Sequence, residues 1–465
     1  MSDRTALPLT ALLLCALGVP SGARTQTPPG GTLTLHRAVE LALARAPQVA
    51  VASAAREVTE ADLRLAGDSF HPEAELSTTP GVARGLPVAV FGRVPAIVGV
   101  SGHQTLYDPA RRYELLETEA RAAQGRAQSE MARREAARAA ALLYVRCWAD
   151  QAKVQAAARR ELALGRSLAR VQAQEREGRV IGLAVEEVRL RAERARLGRL
   201  GNESELDLDR LELARLTSAP VGALALADPE QELPAAAAAA DDLQAARAAD
   251  PELRADTEAL DLLGRGAGLR QRRLAPTVEA VAQYYRLDAA SFGRFYRRFR
   301  ADDWSLAVSF ALPLWTGGRA ADGLARTQAT VAQKSAEKLA RQSELDLAMR
   351  RAESARDRAR AAASLARQGE TLAAEDLRVT RALAAEGRTG EDEVDAKESA
   401  LAAALEESAQ AARDLLATRI DLLALRGELL DALAPSGGKP EPVPAGGVSP
   451  PAATPAQAAL GPGGI

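Results

Sequence analysis

The chain has 465 residues and a formal net charge of −2, with Ala, Leu, Arg and Glu dominant. That length allows two or three ordinary domains, and so slight a charge leaves no field strong enough to recruit nucleic acid. The composition favours helix, while aromatics at 3% are too few for a rich globular core and five Lys against 55 Arg reflect genome composition.

The N-terminus reads as a secretory signal peptide, residues 1–23: Arg4 is the charged start, residues 6–19 the apolar stretch and Ser21-Gly22-Ala23 a small-residue cleavage site. The apolar run is too short for a transmembrane helix. Cys15 lies inside it and follows Leu14, where a lipoprotein signal carries a small residue, so lipidation is not expected. Cleavage leaves Cys147 as the only cysteine, which excludes a disulfide framework. Cys147 is expected to be a small buried hydrophobe. No later apolar run approaches the ~18 residues of a spanning helix, so any membrane entry must use β-strands.

The remaining chain is written twice. Pro47 in "ARAPQVAVA" and Pro251 in "AADPELRAD" are 204 residues apart, as are Pro72 and Pro276. "TLYDPAR" and "PLWTGGR" end at Arg111 and Arg319, 208 apart, and "EGR" recurs at Glu177 and Glu386, 209 apart. The repeats are expected over 24–219 and 242–433, joined by a linker at 220–241 and followed by a disordered Pro/Gly/Ala-rich tail at 434–465.

Each repeat reads helix, strand, strand, long helix, turn, helix. Residues 34–66 are predicted helical, with Thr34 as N-cap. A β-hairpin follows at about 72–107, its strands near 73–79 and 96–107; the second occupies about 276–315, its strands near 277–285 and 304–315. In the last strand, Trp304, Leu306, Val308, Phe310, Leu312 and Leu314 alternate with small residues, as in a half-buried strand. It fits either a sandwich strand over a soluble core or a tilted transmembrane strand with Trp304 and Trp315 as membrane-interface aromatics. The first hairpin is poorer in aromatics, and residues 81–93 could carry part of it.

Residues 108–176 contain no proline after Pro109, and 316–385 contain none. At 1.5 Å per residue each would run roughly 100 Å. Narrow Ala/Leu stripes suit coiled-coil packing with water on the remaining faces. Gly178 and Gly387 are natural C-caps, and helices return over about 185–217 and 394–433, giving helical hairpins at about 108–217 and 316–433. Gly317-Gly318 and Tyr107-Asp108-Pro109 form the strand-to-helix junctions. If the strands span a membrane, four would leave two unpaired edges in lipid and are too few to close a barrel. Several copies must then share one.

From these features the sequence resembles the TolC-like outer membrane efflux protein family over about residues 33–433. The resemblance rests on "LTLHRAVELALARAPQVAVA", the two strand-to-helix junctions and "EGRTGEDEVDAKESALAAALEESAQAARDLLATRIDLLALRGEL". It implies a mainly α homotrimer whose 12-stranded transmembrane β-barrel, four strands per chain, continues into a long periplasmic α-helical barrel. It places the protein in the outer membrane of a Gram-negative bacterium, in contact with outer membrane lipid. The implied function is passive export of drugs, metals or polypeptides, in a tripartite efflux or type I secretion system. The partners are a periplasmic adaptor (membrane fusion protein) and an inner-membrane pump of RND or ABC type.

On the same resemblance, Asp392 and Asp395 match an acidic D-x-x-D-A pair that narrows the periplasmic entrance, although acids in a first helical turn also complement the helix dipole. Arg179, Gly182, Leu183, Arg388 and Thr389 fall in the turns that dock adaptors. No catalytic constellation, cofactor motif or metal-ligand spacing is present; His36, His71 and His103 are scattered. The competing reading is a periplasmic coiled-coil adaptor or structural protein without a channel, against which the two helical hairpins and the aromatic-ended strands both count.

Overall fold

A computed structural model describes residues 32–79, 96–217, 226–234, 242–271, 275–287 and 302–433. The expected signal peptide, the tail, residues 81–93 and most of the linker lie outside the described residues.

Helices α1 (Leu35–Arg45) and α2 (Pro47–Asp68) replace the single predicted helix. Pro47 explains the break: it holds Ala46 extended, at ψ 125°, and then serves as the first residue of α2. Strands β1 (Glu73–Thr79) and β2 (Ala96–Tyr107) follow, then α3 (Pro109–Arg176) and α4 (Gly182–Thr217). The second half contains α5 (Asp242–Ala249), α6 (Pro251–Arg270), β3 (Thr277–Leu287), β4 (Asp302–Ala311), α7 (Arg319–Ala385), α8 (Glu391–Arg426) and the short α9 (Leu429–Ala432). Gly427, at φ 76°, separates α8 from α9, where one continuous helix was predicted; a Cβ there would lie 2.9 Å from that of Ala249.

α3 and α7 have 68 and 67 residues, so each spans about 100 Å at 1.5 Å per residue. They are uninterrupted because nothing in either run breaks the i→i−4 ladder. Asp108 starts α3 by accepting bonds from the Ala110 and Arg111 amides at 2.8 and 3.4 Å. α7 starts differently: Gly317 and Gly318 stand at φ 60° and 91°, a backbone other residues adopt only under strain.

All four strands form one antiparallel sheet in the order β1-β2-β3-β4. Leu76, Val100, Tyr284 and Trp304 lie in one row across it, and Glu75, Ser101, Gln283 and Ser305 in the next row, on the opposite face. One face is therefore apolar and the other polar. The aromatic-poor first hairpin pairs with the second along β2, in continuous register from Val98 to Thr105 and with an irregularity beyond each end of that run.

The long helices lie side by side in the order α4-α3-α8-α7, each antiparallel to its neighbour. α2 runs beside the sheet-proximal part of α3, with Thr59 against Gly125, and α6 beside the sheet-proximal parts of α3 and α7, with Glu258 near Arg126 and Arg270 on Gly323. α1 and α5 instead pack around the middle of the long helices. The main core sits there: Leu35, Val39, Tyr144, Cys147, Leu213 and Ile420 are fully buried together. The Tyr144 hydroxyl donates to the Leu33 and Ala227 carbonyls at 2.6 and 2.9 Å. Glu232 accepts the first amides of α1, from Leu35 and His36, at 3.2 and 2.9 Å. The linker is thereby tied to the girdle.

Candidate functional site

The two hairpin turns share one backbone design. Gly178 and Gly387 stand at φ 71° and 70°. The Arg179 and Arg388 amides reach back to the Gln174 and Leu383 carbonyls at 2.8 and 2.9 Å, satisfying orphan carbonyls at the helix ends. The Arg179 and Arg388 side chains project into solvent and pair only locally, with Glu177 at 3.1 Å and Glu386 at 3.3 Å. Ile181 and Leu183 are exposed beside them, and Gly182 opens α4. Thr389 is half-buried, its hydroxyl 3.5 Å from the Thr380 carbonyl. The turn residues expected to contact adaptors thus form an accessible tip with an apolar point on the α4 side.

The two candidate constriction residues do not share an environment. Asp395 belongs to a heptad series, Asp395, Ala402, Ala409, Leu416 and Leu423, that is buried along α8. It is 4% exposed, and Arg166 and Arg170 of α3 both bond its carboxylate. Glu398, next on the same side, pairs with Arg166 and with Arg381 of α7. Asp392 stays half exposed, 3.5 Å from Arg170. Spacing alone could not separate them, because their partners, Arg166 and Arg170, lie 222 to 229 positions away on α3.

The outer helices carry a second seam. On α4, Val185, Ala195, Leu206, Asp209, Leu213 and Leu216 are buried. Leu183, Leu190, Leu197 and Leu211 recur at heptad spacing two residues earlier, roughly 200° around the helix. On α7, Leu365, Leu372 and Val379 recur in the same way opposite Ala363, Ala366, Leu377 and Thr380. The outward-facing Leu and Val residues are 43–72% exposed.

Burial tunes two groups between α3 and α4. The Cys147 thiol, wholly buried, is pushed up to about 12, so it is inert, as expected of a small core residue. Asp150, buried against Asp209, is held above the usual carboxylate range mainly by loss of water, opposed by its bond to Lys153.

At the sheet-to-helix junctions, β4 ends at Ala311 rather than at the predicted Trp315, because Pro313 has no amide to continue the ladder. Trp304 lies within β4 opposite Tyr284, whereas Leu314 and Trp315 follow the strand, 83% and 89% exposed. Tyr107 closes β2 and Pro109 opens α3. His103 faces Glu279 at 3.4 Å on the polar side of the sheet. No helix among the described residues is long and apolar enough to cross a membrane.

No family model matches this sequence, and no curated protein does. Solved structures do. CusC, described in terms of folding and transmembrane channel formation, is similar at TM-score 0.70 and 16% identity, over 84% of this chain and 92% of that one. The outer membrane protein VceC of Vibrio cholerae gives 0.68 and 15% identity over 84% and 96%. The CmeC outer membrane channel of Campylobacter jejuni gives 0.67 and 14% over 85% of each chain. The chain has the fold of the TolC-like outer membrane factors.

Proposed function

We propose that three copies of this chain form an outer membrane export duct: a 12-stranded barrel continued by a 12-helix tube, conducting passively. The carrying observation is that sheet and helical layer are open in the same sense. Among the described residues, the sheet ends at the outer edges of β1 and β4, and the helices end at α4 and α7, whose outward seams meet no other helix there. An open edge is untenable in lipid, and heptad leucines call for a facing helix. One rotation of copies closes both layers, α4 of one against α7 of the next. Two copies would give eight strands and a filled barrel, whereas three leave a lumen.

The apolar face with Leu76, Val100, Leu306 and Phe310 then meets lipid, and the face with Glu75, Gln283 and His103 lines the pore. The girdle and tips lie in the periplasm. The exposed tip, with Arg179, Leu183 and Arg388, receives an adaptor linked to an inner-membrane pump. Asp392 reaches the entrance as a carboxylate ring, while Asp395 ties α8 to α3.

Conductance in planar bilayers tests the duct. Wild-type protein is expected to open cation-preferring channels blocked by divalent ions from the periplasmic side, and Asp392→Asn to weaken that block several-fold. Absence of any conductance would overturn the duct; an unchanged block would remove Asp392 from the entrance.

A further inference from the structure

Above the tip, α3, α4 and α8 line a cavity of about 750 Å³ that borders Asp392 and Asp395. Its α3 wall is the stripe Ala157, Arg160, Leu164, Ser167 and Val171. Across α3 from that stripe lie the solvent-exposed Gln155, Arg159, Leu162 and Arg166. α4 and α8 flank α3 on opposite sides and both reach this cavity, so it opens on one face of the helical layer, the face that also carries Asp392. In the proposed tube that face looks into the lumen.

The lining has two chemistries. Leu164, Val171, Val188 and Ala195 make an apolar floor. Arg160, Arg191 and Arg194 surround it, and among the described residues none of these three has a salt-bridge or hydrogen-bond partner. The Arg160 Nε is buried without a bond. A buried, unbonded Nε also occurs in Arg134 and Arg341, but their other nitrogens pair with carboxylates, whereas Arg160 has no such pair among the described residues. Acidic groups at the cavity do not cancel the excess. Asp395 and Asp392 are held by Arg166 and Arg170. Glu406 stands near both Arg160 and Lys153, and burial raises its pKa. Ser167, Ser399 and Asn202 add neutral hydrogen-bonding groups.

We infer that this cavity is a binding site for an amphipathic organic anion: an apolar body on the Leu164–Val188 floor and a carboxylate, sulfonate or phosphate between the guanidinium groups. The lumenal placement rests on the duct reading; the site itself lies within one chain. Such a site would hold acidic cargo at the wall just inside the entrance.

Isothermal titration calorimetry with 1-naphthalenesulfonate tests it on the purified full-length protein, against detergent-matched blanks and with neutral 1-naphthalenemethanol as comparison. Arg191 and Arg194 are exposed, so Arg191→Gln with Arg194→Gln is expected to leave the circular dichroism unchanged. The double variant is expected to weaken sulfonate binding at least tenfold, and adding Arg160→Gln to abolish it, with the alcohol unaffected. Equal sulfonate affinity in wild type and triple variant, or equal affinity of wild type for sulfonate and alcohol, would overturn the site. Calorimetry needs no conducting pore, so loss of conductance with Arg-dependent binding intact would strike the duct and spare the site.

Discussion

Asp395 shows how a single carboxylate can serve a wall rather than a pore. Its place in the α8 heptad turns it toward α3, where Arg166 and Arg170 replace the water it loses. An unpaired carboxylate could not remain so buried. Arg166 is half exposed, so the pair is weaker than a fully buried one, and removing the carboxylate should cost roughly 1–3 kcal/mol. Asp395→Asn is therefore expected to speed amide hydrogen exchange in residues 388–400 while the girdle around Tyr144 stays protected. Equal exchange in both proteins would mean that the pairing does not hold the tip.

At the scale of elements, the outward seams of α4 and α7 make the sharpest claim. Leu190→Asp with Leu372→Asp places charges on surfaces already exposed in the single chain. Helicity should persist and the assembly should fall apart, read by analytical ultracentrifugation in detergent. An assembly of unchanged mass would exclude these seams as contacts between copies. Much of this level was legible in the sequence. Proline-free runs gave α3 and α7 nearly to the residue, because their ends are set by local chemistry at Asp108, Gly178, Gly318 and Gly387. Proline marks the departures from that pattern: Pro47 divides the first predicted helix and Pro313 ends β4 early. Alternation in β4 gave the correct faces, but the pairing of weak β2 with β3 depends on residues some 180 positions apart, such as Gly102 and Ala282. The arginine cavity was not legible at all, since its three helices meet only in the fold.

For the whole molecule, a thin wall explains the composition. A single layer of helices has little interior, so alanine suffices at most seams and large residues gather in the girdle. In the proposed duct, strand faces and helix seams would divide the chain into lipid-facing, lumen-facing and copy-facing surfaces, each following from a period of two or of seven. The central claim is that copies close both layers together. Single-particle imaging of the detergent-purified protein tests it most directly. A three-fold hollow tube, about 100 Å or more in helical length by the rise per residue, with a short detergent belt at one end and α4 of each copy against α7 of the next, is the predicted result. A monomer or a solid rod without a belt would contradict it.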